Sequence, residues 1–184
     1  MNIWHDIKPA RIKPDDFIAV IEIAKGMNKK YELDKDTGMF VLDRILYGSE
    51  HYPQNYGFIP LTYAEDNDPL DVMVFCSESL DPGVLVRCYP IAAFTMIDNG
   101  EVDEKIIAIP FNDPYYNHYR SREDLPKHLV QVLNNFYSTY KMLEKKQTVI
   151  ESFVGRQDAE QIVKKNIERY KTKFSGLQQK VKPL

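Results

Sequence analysis

The run "VLVRCYPIAAFTMID", residues 84–98, reads as one long strand, with Pro90 marking a bend or an edge because proline cannot donate to a ladder. It leads into "DNGEVDEKIIAIP" (98–110), an Asn-Gly turn followed by a further strand. Upstream, "FIAVIEI" (17–23) is apolar and β-branched, and "KKYEL" (29–33) and "MFVLD" (39–43) flank the turn "DKDTG". "YGFIPLTY" (56–63) and "DVMVF" (71–75) are two more extended pieces. Strands at short spacings, with turn signals between them, fill the first 110 residues. That pattern favours a barrel or sandwich over alternating βαβ units.

The last third changes character. Leu125, Leu129, Val132, Leu133, Phe136, Tyr137 and Tyr140 fall on one helical face, with Pro126 suited to a first helical turn. "QTVIESFVG" (147–155) reads as a last strand, and residues 158–174 as an amphipathic helix with Asp158 near its N-cap. The expectation is a mainly β protein: a small, mostly antiparallel barrel flanked by two helices, forming a single domain over residues 1–184.

Composition narrows the function. The net charge of −3 argues against a general nucleic-acid binder. No run approaches the apolar length of a membrane span, and the first residues lack the apolar core of a signal peptide. No membrane role and a cytoplasmic location are therefore expected. Cys76 and Cys88 lie in apolar strand-like runs without C-x-x-C spacing, so they read as buried free thiols.

The segment "AEDNDPLDVMVF" (64–75) crowds Glu65, Asp66, Asp68 and Asp71 at the mouth of a strand. Pro69 biases Asp68 toward an extended conformation, which would turn Asp66 and Asp68 to one side. Two carboxylates about 4 Å apart repel by roughly 4 kcal/mol at an effective dielectric near 20. Water, proton uptake or divalent cations must offset that. A solvated acidic turn is one reading. An EF-hand fails, because Asp71 stands where its loop needs Gly and Ser77 where it needs Glu. Zinc fails for want of His or Cys. All-oxygen ligation points to magnesium or manganese.

Other charges join this pattern. Asp98 and Asp103 flank the Asn-Gly turn, and Asp103 shares a strand face with Lys105. Glu22 shares the apolar face of Ile18 and Val20, which calls for an ion pair or a place in a site. Lys30 shares a face with Glu32; Arg44, Lys141, Tyr52 and Tyr56 stand in comparable settings.

From about residue 17 to 145 these motifs resemble a family I soluble inorganic pyrophosphatase. The D-x-D-P-x-D run at 66–71 is the most diagnostic. "VIEI", "KYEL", "DR" at 43–44, "YPQNYGFIP", "DEKIIAIP" and "YK" at 140–141 follow in the family's order. The resemblance implies an OB-like five-stranded barrel with helices outside. It also implies hydrolysis of pyrophosphate to two orthophosphates with magnesium, for which manganese could substitute. By motif, Asp66, Asp71 and Asp103 would be the principal metal ligands, with Asp98 and Glu32 holding further metals. Asp68 would be the general base on the attacking water. Lys30, Arg44, Tyr56, Lys105, Tyr140 and Lys141 would contact phosphate oxygens, and Glu22 and Tyr52 would support the site. By analogy with bacterial members the chain would be a homo-oligomer, a hexamer in that analogy.

The chain departs from the family pattern at four places. Asn67 stands where Gly is common and tolerates the same left-handed backbone. Ala24 replaces a common Pro. Asn135 and Thr139 stand where many bacterial members carry histidines, which bears on assembly rather than chemistry.

The chemistry explains why acids would crowd. Free water has a pKa of about 15.7 and an ordinary Asp about 3.9, a gap of roughly 16 kcal/mol. A bound metal can bring water to about 7, which cuts the gap to about 4 kcal/mol. Two rivals remain. One is a magnesium-dependent nucleotide or polyphosphate hydrolase, disfavoured by the lack of a Gly-rich phosphate loop. The other is a single-strand-binding barrel using its aromatics, disfavoured by the negative charge.

Overall fold

The computed structural model describes residues 2–98 and 100–176, so Asn99 of the expected Asn-Gly turn lies outside the described residues. Five strands carry the architecture: β1 (Phe17–Ile23), β4 (Asn55–Ile59), β5 (Leu70–Val74), β6 (Leu85–Asp98) and β7 (Glu101–Pro110). They pair in the order β1-β4-β5-β7-β6, and β6 returns to β1 to close a ring. A closed ring has no free edge to invite further pairing. The mainly β expectation holds, and the closure uses the five strands that an OB-like fold implies.

The long strand makes the closure possible. Its first part, Leu85 to Cys88, pairs with β1; its second part, Ala92 to Asp98, pairs with β8 (Thr148–Gly155). The changeover falls at an irregularity between Pro90 and Ala92 in the β6–β7 ladder. A residue with no N–H sits where the ladder shifts, as its chemistry requires.

Gly57 permits another close approach. A Cβ there would lie 1.8 Å from the Val20 carbonyl oxygen of β1. Among the pairings inside the ring only β5–β7 is parallel, and it sets Asp71 level with Lys105.

A separate hairpin pairs β2 (Lys29–Leu33) with β3 (Phe40–Ile45). Its turn is built by Asp34, which accepts Asp36 N–H at 3.0 Å and the Thr37 hydroxyl at 2.7 Å. Gly38 follows with φ +74°. Two strands differ by more than one residue from the sequence reading. β3 runs to Ile45 rather than 43, and β4 stops at Ile59 rather than 63, where Leu61 adopts φ +55°.

Helix α1 (Lys127–Thr139) seats Leu133, Phe136 and Tyr137 against Met73, Phe94 and Ile107. Pro126 is its N-cap rather than a first-turn residue. Helix α2 (Arg156–Lys173) seats Ala159, Val163 and Tyr170 against Trp4, Phe17 and the other face of the sheet. Its N-cap is Gly155, and Asp158 lies in the first turn, where a carboxylate favours the helix dipole without capping it. Cys76 and Cys88 are free and buried.

Candidate active site

A cavity of about 330 Å³ is lined by residues of β1, β2, β4, β5, β6, β7 and α1 and of the loop before β5. Its centre is Lys105, buried at 3% exposure. The Nζ reaches Asp71 Oδ2 at 2.6 Å and Asp103 Oδ2 at 2.8 Å, and donates to the Tyr56 hydroxyl at 2.9 Å. Strand register explains this convergence. Asp71 is level with Lys105 across the parallel pair, and Asp103 lies on the same face of β7. Tyr56 also donates to Asp71. Burial opposes the Lys105 charge, but the Asp103 and Asp71 carboxylates outweigh it and raise its pKa well above the ordinary lysine value.

The acids around it bear the cost of crowding. Burial, reinforced by Asp71, Asp68 and Asp103, raises Asp66 to about 6. Burial and Asp71 raise Asp103 despite Lys105. Glu22 is buried and accepts the Leu33 N–H at 2.8 Å, with no ion pair among the described residues. Desolvation first, and the Asp71 charge second, push it up to about 8. The site reading of Glu22 therefore fits better than the structural ion pair. Tyr52 is buried between the rings of Tyr56 and Phe136, with centroids at 5.3 and 5.0 Å.

The loop of Asp66 and Asp68 is a turn, not the extended stretch expected from Pro69. Asn67 takes φ +71°, and Asp66 Oδ1 accepts the Asp68 N–H at 3.0 Å. The left-handed Asn67 and this local Asx hydrogen bond interrupt the extended run between the two acids. Asp68 faces the rim, where its carboxylate is 46% exposed and paired with Lys35.

Lys30 and Lys141 also line the cavity. Lys30 pairs with Glu32 and, at 3.2 Å, with Asp43. Lys141 pairs with Asp98. Tyr140 closes the C-terminal end of α1, its ring 5.0 Å from that of Phe136.

Of the residues singled out from the sequence, all but Arg44 line this cavity. Arg44 instead gives Nε to Glu144 at 2.8 Å and a second nitrogen to Asp43. Both carboxylates hold its guanidinium beside the cavity. Three contributors were not singled out: Lys35 in the hairpin turn, Asp43 and Glu144. Lys35 and Asp43 stood inside segments read for their turn or strand character. Glu144 reaches Arg44 across 100 residues, which no local signal encodes.

Among the described residues no three acidic, His or Cys side chains are already gathered tightly enough to hold one ion. Lys105 stands between two of the acids instead. The donors are nonetheless suited to a hard cation. They are carboxylate oxygens, two of them already converge on a positive charge, and Asp66 and Asp103 are raised first by desolvation and then by neighbouring carboxylates.

The family model described as inorganic pyrophosphatase matches residues 19–171. The inorganic pyrophosphatase of Picrophilus torridus is 42% identical over 171 residues, covering 93% of this chain and 97% of that protein. Soluble inorganic pyrophosphatase 1 of Arabidopsis thaliana is 42% identical over 167 residues, covering 91% of this chain and 79% of that protein. Among solved structures, the inorganic pyrophosphatase of Thermus thermophilus superposes with a TM-score of 0.87 at 35% identity, covering 92% of this chain and 99% of the other. That of Helicobacter pylori gives 0.86 at 36% identity, covering 90% and 99%.

Proposed function

The chain belongs to the inorganic pyrophosphatase family, and from that premise we propose that its cavity hydrolyses pyrophosphate to two orthophosphates with magnesium and an Asp general base. The observation that carries the reading is the convergence of Asp71 and Asp103 on one buried cation, in a cavity also lined by Lys30 and Lys141. A dense anion needs such lysines, and its counter-ions need such acids.

Asp66, Asp71 and Asp103 would hold the principal magnesium ions, with Asp98 and Glu32 holding further ions directly or through water; manganese could substitute. When bound, magnesium would supply positive charge and lower the pKa of a bound water, easing proton loss to a carboxylate. Asp68 would take a proton from the attacking water as the water oxygen bonds to one phosphorus. The bridging P–O bond breaks, and its electrons leave with the second phosphate. Lys30 and Lys141 bind and neutralise phosphate oxygens, and Lys105 would join them by giving up one of its two carboxylates, which suits a reaction that is mostly positioning and charge stabilisation. Arg44 would join them by exchanging Asp43 for a phosphate, with two parallel bonds a lysine cannot make. Tyr56 and Tyr140 donate without adding charge, while Glu22 and Tyr52 fix the floor.

Phosphate release from pyrophosphate, compared with nucleoside triphosphates at equal magnesium, tests the reading. Release from pyrophosphate should dominate; preference for a triphosphate would favour the nucleotide hydrolase. No helix of the described residues is long and apolar enough to cross a membrane. We read the protein as a cytoplasmic homo-oligomer acting on a small-molecule substrate, with no nucleic-acid partner, the hexamer resting on family analogy.

A further inference from the structure

A second cavity, of about 410 Å³, lies at the other half of the long strand β6. It is lined by Arg87 and Tyr89 of β6, Phe111 and Arg120 of the segment after β7, and Arg156 at the start of α2. Lys105 of the catalytic cavity is level with Phe94 of β6, and Tyr89 lies five residues away on the same strand, so at about 3.3 Å per residue the two cavities are separated by roughly 15 Å along it.

Three guanidinium groups meet here, and they are not equally neutralised. Arg87 is held by Asp16 through two bonds, of 2.8 and 2.7 Å, and lies 4.6 Å from the Phe111 ring centroid. Arg156 gives only its Nε to Glu160, at 2.7 Å. The Arg120 side chain has no carboxylate partner among the described residues. Its Nη1 alone is engaged, by the Tyr89 hydroxyl at 2.7 Å, the Tyr119 carbonyl at 2.8 Å and the Asn117 carbonyl. The guanidinium carbons of Arg120 and Arg156 stand 5.2 and 5.6 Å from the centroid of the same Tyr89 ring. Two like charges are thus drawn to one aromatic ring with donors to spare. Asp15 is the only further acid lining the cavity beside Asp16.

We propose that this cavity is a second binding site, separate from the catalytic one, for a phosphate-type oxyanion. The planar forks of Arg120 and Arg156 match such an anion in pairs of parallel bonds. The Tyr89 and Phe111 rings, set at 65° to each other, hold these guanidiniums in place, and the volume falls in the range of small-molecule pockets. The anion can be free phosphate, pyrophosphate, or the phosphate of a nucleotide.

Calorimetric titration of the full chain in EDTA separates these sources, with inorganic phosphate, pyrophosphate and adenosine diphosphate as three arms. The arm with the highest affinity names the anion. Arg156→Gln and Arg120→Gln should each weaken that binding about tenfold or more, while pyrophosphate hydrolysis under saturating magnesium stays unchanged. Lys30→Gln, in the catalytic cavity, should leave the binding intact. Arg120 also ties its own loop, so Arg156, which is partly exposed at a helix start, is the deciding position. No binding of any arm at millimolar concentration overturns the proposal. So does affinity unchanged in Arg156→Gln, or affinity lost in Lys30→Gln instead. None of these outcomes bears on whether the chain hydrolyses pyrophosphate.

Discussion

Lys105 is the side chain on which the catalytic cavity balances. It spends its three N–H groups on Asp71, Asp103 and Tyr56, inside a wall that excludes water. Removing it leaves two buried carboxylates facing each other. Lys105→Met should therefore lose about 3–5 kcal/mol of stability in EDTA. Magnesium should restore part of that loss if the same acids hold the ion; urea unfolding with and without magnesium measures both. Asp68 is different, because its carboxylate sits half exposed at the rim and its loss leaves no buried charge unpaired. Asp68→Asn should keep its melting temperature within a degree or two while kcat falls about 10²–10⁴-fold, the usual worth of a general base. Wild-type turnover in that variant would remove Asp68 from the mechanism. Glu22 reports through pH. Its folded pKa, about 8, lies above the ordinary 4.5, so the folded chain holds the proton more tightly than the unfolded one. The stability this provides is complete below about 4.5 and is lost as pH rises through about 8. Melting temperatures in EDTA should fall across that window, and Glu22→Gln should flatten the fall.

The strands show where sequence patterns are sufficient and where they are not. β1, β2, β6 and α2 come close to their expected spans because apolar periodicity and turn residues are local signals, whereas α1 stops at Thr139 although the helical reading ran from 125 to 146. β4 ends early because Leu61 turns left-handed, which a run of extended-looking residues does not announce. The same holds at Asn67, whose left-handed turn beside an Asx hydrogen bond separates Asp66 from Asp68. Gly57 is the position where two elements meet without room for a side chain. Gly57→Ala would drive a Cβ into the Val20 carbonyl, so β1 and β4 must separate. A loss of about 3 kcal/mol is expected, read as a lower urea midpoint with little change in slope. An unchanged midpoint would mean the ring closes more loosely than its geometry states.

Ring closure ties the catalytic cavity to global stability. Acids from the loop before β5, from β5, and from the β6–β7 hairpin meet only when all three are in register. A ligand that needs them together binds the folded chain and not the unfolded one. Magnesium at about 100 times its dissociation constant should therefore add about 2.7 kcal/mol of stability, seen as a concentration-dependent melting temperature. Absence of that dependence would mean that the acids do not bind a cation jointly.

The chain's order of residues was enough to assign strands, helices, the donor types of the site and the family motifs, because each is written in neighbours a few positions apart. It could not say that Asp71 and Asp103 would share Lys105, that Arg44 would turn to Glu144, or that Arg87, Arg120 and Arg156 would gather around two aromatic rings. Those meetings follow from a parallel β5–β7 register, a bend near Pro90 and contacts spanning up to 100 residues. Pairing of distant segments is fixed by the burial and closure of the assembled sheet, and no stretch of sequence carries that information by itself.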